Sequence, residues 1–352
     1  MKIKAVPENI FEWLASLGHL APTPVIDTFH AVIVARAIMV ATKLGVFEVV
    51  ASGSWSVQEI AERLSVNAGV LEKLLNVLVT IGYLRFLNDR YALTPLARTW
   101  LLRSSPKSLY DHMLLRFLEW EAIEAIEDVV RTGRALDVHD RIRKDQWEVY
   151  QRGMRSLARL SAAEVARRVP LAAGANRMLD IGGGHGTYSV AFCRRNPRLH
   201  ATILDLAQAV QAAAPILAEE EMSSRVVHRI GSALTADFGE YEWDFIFISH
   251  LLHHFDEETN DNILRRAAHA LRTEGVLAIL DVPRQTSPNA SSQTEAVLDL
   301  YFAVTSNSAT WSLEEISGWF RKAGLLPRKK IYLRSAPGLV VITAVKQGSV
   351  QP

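Results

Sequence analysis

The nine residues Met178-Leu-Asp-Ile-Gly-Gly-Gly-His-Gly186 constrain the fold more than any other stretch of the chain. An apolar run that includes Asp180 leads into Gly182, Gly183, Gly184 and Gly186, and a helix is predicted directly after them, over 187–195. Glycines let a backbone turn sharply and come close to a ligand. A strand–loop–helix of this kind belongs at the carboxyl edge of a parallel sheet, where such sheets bind their ligands. The sequence around it agrees. Apolar runs at 178–181, 201–204, 226–230, 245–248 and 276–280 alternate with helical stretches. That alternation predicts an α/β fold, a parallel sheet with helices on both faces. Two further runs, 330–333 and 339–344, have no helix between them and predict an antiparallel pair at the sheet edge. The segment 283–310 reads as an insertion before a last helix at 313–322.

The first half of the chain reads as helices. Residues 27–44 carry an apolar face at helical spacing, and Gly45 is a natural stop. Ser56 is a candidate N-cap for a helix at 57–64, with Glu59 placed for a capping box. A turn containing Asn67 and Gly69 precedes a second helix at 70–81, ended by Gly82. Short strands at 83–86 and 90–93 flank the turn Asn88-Asp89. Helix, turn, helix and hairpin make a winged helix, which in other proteins reads DNA. The second helix, VLEKLLNVLVTI, offers one Lys, one Glu and one Asn. A DNA reader needs several Arg, Lys, Asn or Gln side chains together with cations for phosphate. Lys plus Arg is 39 and Asp plus Glu is 38, so the +1 balance lacks a nucleic-acid footprint. A structural, dimerising module is expected instead.

The remaining composition bounds the setting. A chain of 352 residues with 49% hydrophobic residues is expected to form about two ordinary domains. Cys193 is the only cysteine, so no internal disulfide is possible and a reducing cytoplasm is expected. The most apolar stretch, 29–50, is interrupted by Arg36, Lys43 and Glu48, so a membrane span is not expected.

The glycine loop discriminates between cofactors. The dinucleotide pattern G-x-G-x-x-G fails here, because Thr187 stands where the third glycine should be. The acidic-x-G-x-G-x-G form fits throughout, as Asp180-x-Gly182-x-Gly184-x-Gly186. It is the pattern of enzymes that use S-adenosyl-L-methionine. Such a cofactor places a methionine carboxylate by the loop amides, and an acid at the end of the next strand takes the ribose hydroxyls. Asp205, in Ile203-Leu-Asp-Leu206, is that acid. A loop serving only close helix–strand packing is the competing reading.

From about Thr23 to Val345 the chain resembles the two-domain small-molecule O-methyltransferases of plants and bacteria. The matching segments occur in order: Ala41-Thr-Lys-Leu-Gly-Val-Phe47, Tyr91-Ala-Leu-Thr-Pro95, Tyr150-Gln-Arg-Gly-Met154, the glycine loop with Asp205, Leu252-His-His-Phe-Asp256 and Ala323-Gly-Leu325. The resemblance implies a class I methyltransferase domain with a Rossmann-like seven-stranded sheet over 172–352. It also implies a mainly helical winged-helix dimerisation domain over 1–105, with a helical linker at 106–171 that contributes to the active site. Tyr150 and Met154 fall on positions lining cofactor and substrate, and Ser232, Ala233 and Ser249 on further cofactor positions. His253 falls on the catalytic base, and Asp281 on the acid that orients it. A histidine is suited to take a hydroxyl proton near neutral pH, with no metal required.

Some positions depart from the family. Ser232 replaces an acid, Ser249 a lysine, and Thr310 a second flanking carboxylate. His254 stands where the family often has Asp, either orienting His253 or capping the next helix. His250, His254, Phe302 and Asn307 are expected to line the substrate pocket. A small aromatic or polyketide-like hydroxyl compound is the expected substrate, and a homodimer through the N-terminal domain the expected assembly, without nucleic acid or membrane. Two other readings remain open at this point: non-methyl chemistry on the same scaffold, such as hydroxylation or cyclisation, and a winged-helix regulator.

Overall fold

A computed structural model describes residues 5–348 apart from Thr286 and Asn307. The chain forms two compact units, Met1–Leu118 and Glu119–Pro352.

In the first unit, helix α1 (Ile10–Leu17) begins at Asn9, whose side chain accepts the amides of Phe11 and Glu12. A continuous helical stretch runs over Thr23–Leu44, through a π-helical turn at Ile26–His30, and its last part is α2 (Ala31–Leu44). By length and composition alone this stretch is long and apolar enough to cross a membrane. Gly45 ends it at φ +82°, a left-handed conformation in which Cβ-bearing residues are strained. Helix α3 (Val46–Ala51) follows, then α4 (Val57–Leu64), opened by a Ser56–Glu59 capping box. The next helix, α5, spans Ala68–Thr80. It therefore begins earlier than the expected 70–81. Asn67 is its N-cap, and Gly69 lies in its first turn rather than in a loop. Strands β1 (Leu84–Leu87) and β2 (Arg90–Leu93) pair antiparallel. Asn88 and Asp89 join them with φ of +50° and +58°, as a tight two-residue hairpin demands. Phe47, Val50, Ile60, Leu75, Leu78 and Leu84 form the core. Phe11, Leu17, Phe29, Val32 and Ile33 stay exposed.

The second unit is built on a seven-stranded sheet. Its strands are β3 (Arg177–Ile181), β4 (His200–Asp205), β5 (Val226–Ile230), β6 (Trp243–Ser249), β7 (Leu271–Asp281), β8 (Leu325–Tyr332) and β9 (Val340–Lys346). Their order is β5-β4-β3-β6-β7-β9-β8. The last two strands form the antiparallel pair expected at the sheet edge, β9 running antiparallel between β7 and β8, so the sheet is mixed. Strand β7 begins at Leu271, across a bulge near Glu274 (φ +64°) and Gly275; only its regular part was legible as 276–280.

Successive residues along the strands serve opposite faces, and both faces are buried. Met178, Phe245, Phe247 and Ala278 pack against α6 (Trp147–Arg168) and α7 (Thr187–Arg195). Helix α8 (Ala207–Ala218) links β4 to β5. Leu179, Ile246, Ile248 and Leu277 face α9 (Glu257–Ala270) and α11 (Leu313–Lys322). Between these two helices the segment expected as an insertion carries a helix of its own, α10 (Gln293–Thr305). Its apolar residues do not form one stripe: Ala296, Val297, Leu298, Leu300, Phe302, Ala303 and Val304 fall on all sides of the helix.

Candidate active site

Strand order reverses beside β3: β4 and β5 lie on one side, β6 and β7 on the other. A crevice at the carboxyl ends is expected at such a switch point. Asp205, Ser249 and Asp281 are the last residues of β4, β6 and β7, and the glycine loop leaves β3.

The loop depends on its glycines. Gly182, Gly184 and Gly186 hold φ of +73°, +46° and +73°. Gly183 has no such angle, yet a Cβ there would stand 2.4 Å from Cγ of Asp180. Asp180 is buried, and Ser189 Oγ donates to its Oδ2 at 2.6 Å. Burial pushes its carboxyl up to about 7, against that hydrogen bond and with a further push from Asp205.

The amides of the patterned glycines are already engaged. Gly182 donates to Leu204 O at 2.8 Å, Gly184 to Asp205 Oδ2 at 2.8 Å, and Gly186 to Gly183 O at 2.9 Å. Asp205 also accepts the Leu206 amide at 2.7 Å. Burial raises its carboxyl from the usual value, outweighing these two amides. The Gly184 carbonyl accepts Nε2 of His228, from β5, at 2.8 Å. Thus the peptide groups flanking Gly184 are held by side chains of two neighbouring strands. Sequence reasoning missed His228, which carries no local signal. Ser232 Oγ accepts the Leu234 amide at 3.2 Å, and Ala233 is half-buried.

On the other side of β3, His253 lies in the short turn Leu252–His254 and is 2% exposed. Its Nδ1 is 3.0 Å from Asp281 Oδ1 and 3.2 Å from Oδ2. Asp281 also accepts the Val282 amide at 2.9 Å. Burial alone would raise the Asp281 carboxyl, but His253, with His250 and that amide, brings it below its ordinary value. His250 has a left-handed φ of +52° and places Nδ1 3.8 Å from Asp281 Oδ1. The Phe302 ring stacks on His253 with centroids 3.8 Å apart.

Two residues absent from the sequence reading fix this turn. Asn260 Nδ2 donates to the carbonyls of Leu252 and Phe255 at 2.9 and 3.0 Å, and Trp311 Nε1 donates to Leu252 O at 3.0 Å. The cap of α9 is Asp256, which accepts the Thr259 amide, so His254 has no capping role. Instead His254 Nδ1 lies 2.6 Å from Ser306 Oγ, and its ring meets His139 edge-on at 4.6 Å. Burial, followed by the neighbouring imidazoles of His253, His139 and His250, pushes His254 well below 6.5. His139 Nε2 is 2.9 Å from the Tyr150 hydroxyl. Met154 is half-buried on α6, one turn from Tyr150. Thr310 donates both its amide and its hydroxyl to Asp299 on α10. The expected pocket residue Asn307 lies outside the described residues.

The fold and these strand ends together define an α/β methyltransferase with a separate helical module. The chain belongs to the O-methyltransferase family: the family's O-methyltransferase domain matches residues 133–326, and its dimerisation domain matches 26–103. It is 28% identical to the mitomycin biosynthesis 6-O-methyltransferase of Streptomyces lavendulae, over 97% of this chain and 99% of that protein. It is 26% identical to the 3-hydroxy-5-methyl-1-naphthoate 3-O-methyltransferase of Streptomyces sahachiroi, over 92% of this chain and 95% of that one. Human N-acetylserotonin methyltransferase, solved in complex with SAM, shares the fold with a TM-score of 0.81 at 17% identity, covering 98% of this chain and 100% of that chain. The chain is an enzyme of this family, and S-adenosylmethionine is its cofactor. The site fits that group: the loop is a cradle a Cβ would fill, and Asp180 Oδ1 beside it is buried without a hydrogen bond.

Proposed function

We propose that the enzyme methylates a hydroxyl of a small aromatic or polyketide-like metabolite, with His253 as general base. The observation that carries this reading is the buried pair of His253 and Asp281, Nδ1 to Oδ1 at 3.0 Å. In a neutral His253 the proton sits on Nδ1 and points at the carboxylate. The basic lone pair is then on Nε2, away from Asp281. A hydroxyl is a weak nucleophile until its proton leaves, and Nε2 accepts that proton as the oxygen–methyl bond forms. Asp281 holds the tautomer and stabilises the imidazolium that results. The cofactor, when bound, supplies a methyl group on a sulfonium. Phe302 covers one face of the base and limits water there.

The other expected residues take supporting roles. Asp205 serves the ribose hydroxyls, and Asp180, Gly182, Gly184 and Gly186 form the cradle. Ser232, Ala233, Ser249, Tyr150 and Met154 line the cofactor crevice. His250, His254 and Phe302 line the substrate pocket. The substrate class is supported by the names of the two Streptomyces relatives, a naphthoate and a mitomycin O-methyltransferase. The exposed apolar face of the helical stretch Thr23–Leu44 and the dimerisation-domain match support a homodimer. Neither non-methyl chemistry nor a regulator role has an observation in its favour.

The test is His253→Ala, read as release of S-adenosylhomocysteine over a panel of hydroxyarenes. Turnover should fall at least about 100-fold, with cofactor affinity kept. Turnover retained at the wild-type level would remove His253 from the role.

A further inference from the structure

The glycine loop engages its patterned amides internally, so an α-amino-acid end lying against it must find other partners. Such an end brings a carboxylate and an ammonium, and neither leaves water cheaply without hydrogen bonds. Nearby cations already carry ion pairs: Arg152 with Glu148 and Glu219, and Arg155 with Glu219 and Glu220, although Arg155 Nε is buried without a hydrogen bond.

Two polar side chains face the loop. Asp180 Oδ1 is buried with no hydrogen bond, 2.8 Å from where a Cβ on Gly183 would stand. Gln151, on α6, is 3% exposed, and its side-chain amide lies against the loop. Its Oε1 lies 2.7 Å from the Cβ position of Gly184. A fully buried polar atom is nearly always paired, so Asp180 Oδ1 calls for a ligand or a reason. The Gln151 amide lies against the peptide unit that Asp205 and His228 hold in place.

We infer that Gln151 hydrogen-bonds the amino-acid end of the cofactor. The inference rests on S-adenosylmethionine being the cofactor. A glutamine amide offers an acceptor to the ammonium and two donor hydrogens to the carboxylate. The free oxygen of Asp180 supplies a further acceptor for the ammonium. Gln151 lies inside the matching segment Tyr150-Gln-Arg-Gly-Met154, in which the resemblance assigned roles only to Tyr150 and Met154; its placement depends on α6 packing over a loop more than thirty residues away.

The test compares two ligands by titration calorimetry on the full-length protein. S-adenosylhomocysteine carries the amino-acid end, whereas 5′-methylthioadenosine keeps the nucleoside and thioether but lacks it. Gln151→Met preserves length and removes the hydrogen bonds. It should weaken S-adenosylhomocysteine about tenfold or more and change 5′-methylthioadenosine by less than about twofold. Gln151→Ala should give the same split and serves where the methionine variant fails to fold. Equal weakening of both ligands, or unchanged S-adenosylhomocysteine binding, would overturn the inference while leaving the cofactor in place. If the wild-type protein bound neither ligand, the cofactor assignment would fall together with it.

Discussion

Asp281 at the end of β7 and His253 in the turn after β6 form a carboxylate–imidazole pair 3.0 Å apart, with both side chains more than nine-tenths buried. Neither group has much water to turn to. The orientation of one is therefore set by the other, and substitutions at either position have separable consequences.

Asp281→Asn keeps the shape but replaces the acceptor that holds the Nδ1 proton. Turnover should fall at least about tenfold, while calorimetric affinity for S-adenosylhomocysteine stays within about threefold. The folded Asp281 carboxyl lies below its ordinary value. Its contribution to stability is thus complete above about pH 4 and is lost as pH falls through the folded value. Denaturant melts should show wild type losing this advantage over Asp281→Asn on acidification. An unchanged difference between pH 6 and the acid limit would contradict it (these pH values mark about two units of range).

Asp180 titrates with the opposite sign. Folded, it holds its proton up to about 7, from an ordinary value of 3.8. Between those values the native state binds more protons than the unfolded chain, so stability falls as pH rises. Asp180→Asn keeps an acceptor for Ser189 and removes the charge. In the absence of cofactor the variant should gain on wild type by an amount on the order of a few kcal/mol across that range. Parallel stability curves for the two proteins would argue against it.

The loop glycines should respond according to what surrounds them. Gly183→Ala drives a Cβ into Asp180, 2.4 Å from its Cγ, and should abolish binding of S-adenosylhomocysteine. Gly174, also at positive φ (+77°), has nothing within 4 Å of its Cβ position. Gly174→Ala should cost only about 1–2 kcal/mol of stability and leave that binding intact. Thermal melts beside calorimetry separate the two effects.

His228 reaches the reaction only through the loop. His228→Ala should weaken S-adenosylhomocysteine about tenfold, with turnover at saturating cofactor within about threefold of wild type. His228→Gln keeps a donor and should recover most of the affinity. Loss of turnover at saturation would mean that His228 does more than hold Gly184.

Assembly can be tested in the helical module alone. Phe29 and Ile33 are exposed on the apolar helical stretch, at 64% and 47% of their surface. Charging both, as Phe29→Glu with Ile33→Glu, should convert a dimer to a monomer by light scattering. A doubly charged variant that remains dimeric would place the interface elsewhere.

Much of this was legible in the sequence, for local reasons. The Ser56–Glu59 capping box, the Asn88-Asp89 turn and the glycine loop are decided by residues within a few positions of each other. The α/β sheet with helices on both faces followed from alternating apolar runs and the Rossmann-like sheet from the family resemblance, while a helix too poor in polar side chains to read DNA pointed to a structural, dimerising module. The failures have a common cause. Helix α10 was missed because its apolar residues ring the helix, and the start of β7 because a bulge at Gly275 breaks the strand period. His228 and Trp311 act through contacts with distant backbone, which no spacing rule reveals.

The claim that His253 removes the hydroxyl proton is tested most directly by varying the acidity of the acceptor. Turnover of wild type and His253→Ala is measured across ring-substituted versions of one accepted hydroxyarene at a fixed pH. Loss from the substitution should be at least about 100-fold for weakly acidic hydroxyls. It should shrink toward unity as the acceptor becomes acidic enough to ionise in water. A loss that is the same at every acidity, or no loss at all, would contradict general-base catalysis by His253.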